Sequence, residues 1–578
     1  MATGNINASR QRTYPHFLLL LALSIRIVFL FYTHNTGTDA WARYMASLSW
    51  AQRPDHIPSD VWLPLPFWIL GAVLRFWPSE LAARLFTVVL GAATVLPFYG
   101  VAKRVCDPWV AFGSALVFAC LGLHIGYSVS TSSEAPAVLF MISGTYCWLR
   151  FRTHFKPGWL VAAALAFDAA ALCRYEIWVF IAVIGALTLF EPRLEARHSL
   201  SHRFKASVTF AFAASLSSIA WCIFSLWKWG DPLAQAHKTA SMNAHRPSVL
   251  QPGFMHKLLA VPGDLTGTLG PIVLVLSLVG IVKALKDRNS SPASDLAIMA
   301  LAMAGFHGFN AIANGATMAR YTLMYSWLFI VLAFYALAAI GASMTFFRSR
   351  TAIWLTVITF VAWQAALVAG AQYAPCRIAD KLGGVSATVP LRCELRETIS
   401  WLDAHLSSTD SVIVDDLQYE STDIVRFSKV GSVKYFRVPY MADDTATLQA
   451  DLSAFVQASH PRLVVYSPKG QLGRIWRLPE GEGRHSASGI SFSLCQIWRN
   501  DDYRIYRVAY ERQACSDLAV STRLGVAPKR TEILKATFSF ELILYATRSM
   551  GILVHNAKPS GRQYGQVDSG GPLYRQLR

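Results

Sequence analysis

Long apolar runs recur along most of this chain, and they constrain its fold more than any other feature. A helix of about 20 apolar residues matches the thickness of the hydrocarbon core of a bilayer. The chain has 578 residues, of which only 15% are charged, whereas soluble domains carry roughly 25%. This composition excludes disordered, coiled-coil, collagen-like and small disulfide-stapled chains. We therefore predict a polytopic α-helical membrane protein.

Eleven of these runs predict about 11 transmembrane helices. They are 15–33, 80–102, 108–128, 134–149, 158–173, 177–190, 206–227, 269–282, 294–313, 321–345 and 351–371. The first run is too long for a cleaved signal peptide and lacks a small-residue cleavage site, so we interpret it as an anchor. The run 61–77 is shorter and contains two prolines, an arginine and three tryptophans. That composition indicates a helix in the membrane interface.

The distribution of Lys and Arg predicts the orientation of the chain. If 61–77 is not a span, one set of alternating segments holds 16 Lys and Arg in 58 residues, and the opposite set holds 9 in 102. Cytoplasmic loops carry the excess of positive charge. We therefore predict a multi-pass protein of the cell (cytoplasmic) membrane with a cytoplasmic N-terminus. The net charge of +18 then serves topology and contact with membrane lipids, and we predict no nucleic-acid partner.

The composition after the last span is that of a soluble domain. Alternating apolar positions predict strands at 411–414, 433–438 and 463–466, helical patterns lie at 394–406 and 444–458, and a hairpin is expected around Asp501-Asp502. We predict three parts. They are a transmembrane domain over 1–372 with outer interfacial helices at 40–77, a small extracytoplasmic α/β domain over 373–515, and a basic tail over 516–578 with an interfacial helix at 533–555.

Four cysteines flank or lie in the predicted outer domain, where disulfides are chemically allowed. They are Cys376, Cys393, Cys495 and Cys515. Four cysteines permit three pairings. We favour bonds between sequence neighbours, and the other two pairings stay open.

Two acids and two arginines fall on the predicted outer face. Asp39 follows the first span, Glu134 opens the fourth, Arg174 joins the fifth to the sixth, and Arg320 precedes the tenth. Each has an ordinary alternative, because acids suit helix starts and arginines anchor span ends. Carboxylates can also take a proton or bind a cation, and guanidinium groups neutralise phosphate. Their common side favours a reaction that activates a hydroxyl and expels a phosphate.

Two further charges, Arg26 and Asp168, lie inside predicted spans. We expect either a structural ion pair between them or a proton or ion path. Three scattered histidines, His237, His245 and His256, are interpreted as incidental and not as metal ligands.

Taken in order, these motifs resemble the polytopic GT-C glycosyltransferases, the group of lipid A aminoarabinose transferases, protein O-mannosyltransferases and Rgt-like lipopolysaccharide sugar transferases. The likeness covers roughly residues 15–345. The matching positions are Asp39 with Arg43-Tyr44, the interfacial Pro64-Leu65-Pro66-Phe67-Trp68, Ala83-Arg84-Leu85, Glu134 and Arg320-Tyr321. The chain departs from the family at Ala40, where a second acid is often found, and at Leu63, where the family often has lysine.

This resemblance implies a glycosyltransferase that moves a hexosyl or pentosyl group, with inversion, from a polyprenyl-phosphate donor to an acceptor on the outer face. The acceptor is a glycolipid, a polysaccharide or a protein. By the same resemblance, the expected roles are catalysis for Asp39 and Glu134, donor-phosphate binding for Arg320 and Arg174, and substrate positioning for Arg43, Tyr44 and Tyr321. A divalent cation (Mg, Mn or Zn), if the enzyme uses one, is expected on Asp39 and Glu134.

Two other functions stay open from the sequence. A secondary transporter is compatible with the span count and the intramembrane charges, but the internal symmetry typical of transporters is not evident. A polymerase or ligase of surface polysaccharide shares the substrates but not the acid in the first loop.

Overall fold

The computed structural model divides the chain into two compact units, Met1–Arg396 and Glu397–Arg578. The residues that the structure describes are 2–33, 38–55, 61–190, 199–244, 253–287, 292–315, 318–343, 349–374, 384–387, 393–415, 421–430, 433–438, 445–468, 470, 472–473, 483–487 and 490–510. The predicted domain limits at 372 and 515 stay a prediction.

The described part of the first unit consists of helices that follow the apolar runs of the sequence. They are α1 (Ala2–Tyr32), α2 (Thr38–Gln52), α3 (Leu65–Phe76), α4 (Glu80–Ala93), α5 (Val95–Val105), α6 (Pro108–Ala119), α7 (Gly122–Ser128), α8 (Glu134–His154), α9 (Pro157–Ala171), α10 (Glu176–Leu189), α11 (Leu200–Ala214), α12 (Leu216–Trp229), α13 (Ala234–Ala244), α14 (Phe254–Lys286), α15 (Pro292–Asn314), α16 (Leu323–Ser343) and α17 (Ser349–Tyr373). A 3-10 helix, Ala319–Thr322, precedes α16.

Six helices in the described residues are long and apolar enough to cross a bilayer, and two bent pairs raise the number to eight. The six are α1, α4 with α5, α14, α15, the 3-10 helix with α16, and α17. The bent pairs are α6–α7, at 57°, and α11–α12, at 49°. Each predicted span coincides with one or two of the helices, so the membrane class is confirmed, whereas the number of 11 spans stays a prediction. The predicted interfacial helices correspond to α2 and α3.

The bend between α6 and α7 explains the buried charge of Arg26, which is 1% exposed. A break inside a span leaves backbone carbonyls without helical partners, and hydrocarbon offers no water to replace them. Arg26 donates hydrogen bonds to the carbonyl oxygens of Ala22, at 3.0 Å, and of Ala119, the last residue of α6, at 3.4 Å. It also donates to Nδ1 of His124 in α7, at 2.7 Å. A cation suits the negative end of the α6 dipole.

The bend between α11 and α12 explains the negative charge of Asp168, as the first bend explains the positive charge of Arg26. Its carboxylate accepts from the backbone N–H of Ser217, at 2.9 Å, and from the Ser217 hydroxyl, at 2.5 Å. Ser217 lies in the first turn of α12, where free N–H groups and the helix dipole favour an anion. The predicted ion pair between Arg26 and Asp168 is therefore wrong, because each charge compensates a different helix break.

Close packing of α14 on α16 shows how the spans fit together. A Cβ atom added at Gly280 would overlap the carbonyl oxygen of Leu332. Small residues permit this backbone approach between membrane helices, which is the main source of their van der Waals attraction. The polar break in α14 at Gly270 and Pro271 is covered by α17, where Gln364 donates to the Thr268 carbonyl at 2.9 Å.

The second unit contains a six-stranded mixed sheet. Its described elements are α18 (Cys393–His405), which begins at the end of the first unit, and then β1 (Ser411–Asp415), α19 (Ser421–Phe427), β2 (Lys434–Val438), α20 (Thr445–Ser459), β3 (Leu463–Tyr466), β4 (Gly483–Ala487), β5 (Ile490–Arg499) and β6 (Arg504–Ala509). The strand order is β2-β1-β3-β6-β5-β4. The strands β2, β1 and β3 are parallel, and the others pair antiparallel. The sequence predicted three of the strands, two of the helices and the β5–β6 hairpin.

The cysteines of this region are only partly described. Cys393 and Cys495 are both in disulfide bonds, while Cys376 and Cys515 lie outside the described residues. The pairing therefore stays a prediction, as does the extracytoplasmic location of the α/β unit. The tail 516–578 and its predicted helix at 533–555 also lie outside the described residues.

Candidate active site

Three arginines from separate segments of the first unit line one cavity of about 340 Å³. Arg43 belongs to α2, Arg174 lies between α9 and α10, and Arg320 lies in the 3-10 helix before α16. Aromatic and polar residues complete this wall, among them Trp62, Tyr175, His307, Asn310, Tyr321 and Tyr325. The folding of the chain thus brings together residues that are nearly 280 positions apart. A volume of this size lies in the range of small-molecule sites.

Arg174 is held by two carboxylates at once. Its Nη1 donates to Oε1 of Glu134 at 2.6 Å, and its Nη2 donates to Oε1 of Glu176 at 2.6 Å. Its Nε also donates to Oε2 of Glu176, at 3.2 Å. Burial disfavours the charge of Arg174, but Glu176 and Glu134 outweigh this effect and raise its pKa above the ordinary value. Glu134 begins α8 and is 1% exposed, so the Arg174 guanidinium is committed to neutralising buried charge.

Asp39 and Arg320 form a second ion pair, in which Arg320 Nη1 donates to Asp39 Oδ2. This pair is more accessible than the first, with side-chain exposures of 32% for Asp39 and 20% for Arg320. Burial disfavours the Asp39 carboxylate, but the charges of Arg320 and Arg43 prevail and lower its pKa to about 2. Its place in the first turn of α2 also favours the anion, because the helix dipole is positive there.

Arg43 connects these two pairs. It follows Asp39 by four residues on α2, so both side chains lie on one face of the helix. Its Nη1 donates to Oγ of Ser133 at 2.6 Å and lies 3.8 Å from Oε2 of Glu134. Its guanidinium carbon lies 4.7 Å from the centre of the Trp62 ring, which is a cation–π distance.

Tyr321 separates the arginines from a polar wall of the cavity. Its ring centre lies 5.6 Å from the guanidinium carbon of Arg174 and 5.7 Å from that of Arg320. The ring of His307, on α15, contacts Tyr321 at 5.5 Å between centroids, and His307 Nδ1 lies 2.7 Å from the Tyr325 hydroxyl. Tyr321 lines the cavity beside the arginines, and its substrate-positioning role stays a prediction.

The other predicted positioning tyrosine, Tyr44, lies elsewhere. It is 7% exposed and packs with Leu70, Leu74 and Ala83 of α3 and α4. It is not among the residues that line the cavity. Tyr44 therefore contributes to the packing of α2 on α3 and α4, and its expected role in positioning the substrate stays a prediction.

Asp39 and Glu134 themselves do not line the cavity, but both hold arginines that do. Three carboxylates, with Glu176, thus balance three guanidinium groups in the described part of the site. Among the described residues, no group of three His, Cys, Asp or Glu side chains is placed to hold a metal ion. A cation does not fit this arrangement, because guanidinium groups already engage the carboxylates. The expected metal role of Asp39 and Glu134 stays a prediction.

Sequence reasoning gave no role to Glu176, Trp62 or His307. Glu176 follows Arg174 by two residues at the start of a helix, and this spacing was the available signal. His307 was visible as a polar residue within the apolar run 294–313. Of the histidines interpreted as incidental, exposed His237 pairs with half-buried Asp231, with His237 Nδ1 at 2.7 Å from Asp231 Oδ2, and His245 lies outside the described residues. Arg84, in the Ala83-Arg84-Leu85 match to the family, donates hydrogen bonds to the Val129 and Thr33 carbonyl oxygens and so has a structural role.

Comparison with known proteins agrees with this architecture. The family model for dolichyl-phosphate-mannose-protein mannosyltransferase matches residues 56–221, a segment that contains Glu134, Arg174 and Glu176 but neither Asp39 nor Arg320. A comparison with curated protein sequences gives no match.

Among solved structures, ArnT from Cupriavidus metallidurans in the apo state is similar with a TM-score of 0.51 and 13% identity, over 84% of this chain and 97% of that one. The oligosaccharyltransferase AglB from Archaeoglobus fulgidus, in complex with an inhibitory peptide and a dolichol-phosphate, gives a TM-score of 0.47 and 13% identity over 80% and 70%. The complex of the oligosaccharyltransferase from the same organism with Zn and sulfate gives 0.45 and 13% over 83% and 72%. The family model matches well under half of the chain, and the similarity to ArnT shows that the two chains share a fold.

Proposed function

We propose that this protein transfers one sugar, with inversion, from a polyprenyl-phosphate donor to an acceptor on the outer face of the cell membrane. The acceptor class is a glycolipid, a polysaccharide or a protein. The observation that carries the proposal is the cavity wall of three arginines, one of which pairs with the first-loop acid Asp39. Such a wall binds a phosphate and stabilises the negative charge that develops on it as the sugar departs.

Arg320 is the best candidate for binding the donor phosphate. It lines the cavity, it pairs with a single carboxylate, and its buried Nε has no hydrogen-bond partner among the described residues. Arg174, the second predicted phosphate ligand, uses Nε and both Nη atoms on Glu134 and Glu176. We therefore assign phosphate binding to Arg320 and a supporting electrostatic role to Arg174.

Asp39 is the proposed general base. In a single displacement, the acceptor oxygen forms a bond to the anomeric carbon while its proton passes to the Asp39 carboxylate. The bond from the anomeric carbon to the phosphate oxygen breaks at the same time, and its electron pair stays on the polyprenyl phosphate, beside Arg320. Attack opposite to the leaving group inverts the anomeric configuration. Glu134 contributes by fixing Arg43 and Arg174, which hold the shape of the site.

The polar wall beyond Tyr321 suits the sugar. The phosphate is bonded to the anomeric carbon, so a sugar on a phosphate at Arg320 lies within about one ring diameter of it. The Tyr321 ring centre lies 5.7 Å from the Arg320 guanidinium carbon and contacts His307, which is hydrogen-bonded to Tyr325, so the cavity offers an aromatic face and hydrogen-bonding groups there. The transporter alternative loses its main support, because Arg26 and Asp168 compensate helix breaks.

The test compares cells that lack the gene with cells that carry the wild type, Asp39→Asn or Asp231→Asn. Asp231→Asn is the matched control, because it removes an ion-paired carboxylate outside the cavity lining. Mass spectrometry measures sugar-charged polyprenyl phosphate and envelope glycans. We expect charged carrier to build up, and one glycan to lack a single sugar, in the deletion and in Asp39→Asn only. Unchanged levels of charged carrier and of envelope glycans in the deletion strain and in the Asp39→Asn strain, with normal amounts of the Asp39→Asn protein, would contradict the proposal.

A further inference from the structure

The resting geometry of Asp39 conflicts with its proposed role. Its Oδ2 is hydrogen-bonded to Arg320, and the residue does not line the cavity. A carboxylate held in this way is a poor proton acceptor, so some event in the reaction cycle must release it.

The donor itself can supply that event. All three cavity arginines already have carboxylate partners, so an incoming phosphate must share a guanidinium with a carboxylate. The pair Asp39–Arg320 is the most exposed, and it has one carboxylate for one guanidinium. The Arg174 cluster is buried and is held by three hydrogen bonds. Sharing is therefore easiest at Arg320.

We infer that the donor phosphate and Asp39 compete for Arg320, so that donor binding loosens the Asp39–Arg320 ion pair and frees the Asp39 carboxylate for the reaction. This inference rests on the proposed function and adds to it an order of events. Without donor, Arg320 holds Asp39 and the site is neutral and inactive. With donor, Arg320 donates hydrogen bonds to the phosphate as well, and its hold on the Asp39 carboxylate weakens.

Competition of this kind is reciprocal. If the phosphate weakens the hold of Arg320 on Asp39, the Asp39 charge must weaken phosphate binding by the same factor. Removing the Asp39 charge should therefore tighten phosphate binding. A model in which Asp39 only contacts the acceptor predicts no change, and one in which it helps to build the donor site predicts weaker binding. The direction of the effect separates these models.

The experiment titrates the full-length protein in lipid nanodiscs with undecaprenyl phosphate and, as a neutral control, undecaprenol, and measures binding by native mass spectrometry. The variants are Asp39→Asn, Arg320→Gln, their double substitution, and Asp231→Asn, which changes the net charge by the same amount as Asp39→Asn. We expect Asp39→Asn to bind undecaprenyl phosphate about tenfold more tightly than the wild type, the size of one charge-assisted hydrogen bond. Undecaprenol binding should not change.

The double substitution shows whether the gain acts through Arg320. We expect Arg320→Gln to weaken phosphate binding about tenfold or more, and Asp39→Asn to add no gain in its presence. Unchanged or weaker phosphate binding by Asp39→Asn, or an equal gain in Asp231→Asn, would overturn the inference while leaving the proposed function standing. A wild type that does not prefer undecaprenyl phosphate to undecaprenol would overturn both. A thermal unfolding curve for each variant confirms that it is folded.

Discussion

Replacing Arg174 by glutamine should lower the stability of the fold, whereas replacing Arg320 should reduce phosphate binding with little change in stability. Arg174 neutralises Glu134, which is 1% exposed, together with Glu176. Its loss leaves two carboxylates in a buried place with Arg43 as the nearest cation, whose Nη1 is 3.8 Å from Glu134. Arg320 instead balances Asp39 alone, and water reaches both side chains of that pair.

The expected magnitudes follow from this difference in burial. Removing one partner of a buried ion pair costs about 3–5 kcal/mol, because a desolvated charge is left behind. A partly exposed pair contributes about 0–1 kcal/mol. At about 2.1 cal/mol/K per residue over a unit of roughly 400 residues, a loss of 4 kcal/mol lowers the melting temperature by about 5 °C. We therefore expect Arg174→Gln to melt about 5 °C below the wild type and Arg320→Gln within about 1 °C of it.

The assay is thermal unfolding in detergent, followed by tryptophan fluorescence, with undecaprenyl phosphate binding measured on the same preparations. As an internal rescue, adding Glu176→Gln to Arg174→Gln removes one of the two uncompensated carboxylates and should recover about half of the lost stability. Equal destabilisation by both arginine variants would refute the reasoning, because it would place Arg320 in the structural core. So would an Arg174→Gln protein that melts like the wild type.

Three further predictions test the other assignments. Asp168→Ala should lower the free energy of unfolding by about 2–4 kcal/mol, because it leaves the Ser217 backbone N–H without its acceptor and removes an anion from the start of a helix. Ser217→Ala, which loses only the hydroxyl hydrogen bond, should lower it by about 1 kcal/mol. Loss of transferase activity in a stable Asp168→Asn protein would instead indicate a proton path. Because the pKa of Asp39 is lowered to about 2 in the folded protein, its ionised form stabilises the fold fully above pH of about 4, and this stabilisation is lost as the pH falls toward about 2. The difference in melting temperature between wild type and Asp39→Asn should therefore be constant from about pH 8 to about pH 5 and shrink below about pH 4. Tyr44→Ala should lower the free energy of unfolding by about 3 kcal/mol through lost packing. Tyr321→Leu should change this free energy by less than about 1 kcal/mol and weaken binding of the sugar-charged donor. A stable Tyr44→Ala protein with weakened donor binding would instead support a positioning role for Tyr44.

The sequence was sufficient to group the charged residues of the site but not to pair them. Asp39, Glu134, Arg174 and Arg320 could be assigned to one face because the alternation of spans fixes sides from local composition. Which carboxylate meets which guanidinium depends on the rotation of each helix about its axis, and apolar runs that are hydrophobic all round carry no signal for it. The same limit explains Tyr44, whose spacing from Asp39 is compatible with more than one facing. The ion pair expected between Arg26 and Asp168 was wrong because the helix breaks that need those charges have weak sequence signals: Ser215 marks the second break without Pro or Gly, and the first has only Gly122 beside it.

The neutrality of the site has a consequence for turnover if Arg320 is shared between Asp39 and the donor. The donor phosphodiester carries one negative charge, and the product polyprenyl phosphate, a monoester, carries up to two, so the product holds Arg320 more firmly than the donor does. Asp39, which has just accepted a proton, cannot compete for Arg320 until it loses that proton. Deprotonation of Asp39 then restores its charge, recovers Arg320 and expels the product. An Asp39→Asn protein lacks this second half of the cycle as well as the base, so it should retain bound carrier, either polyprenyl phosphate or its sugar-charged form, through purification, whereas the wild type should release it.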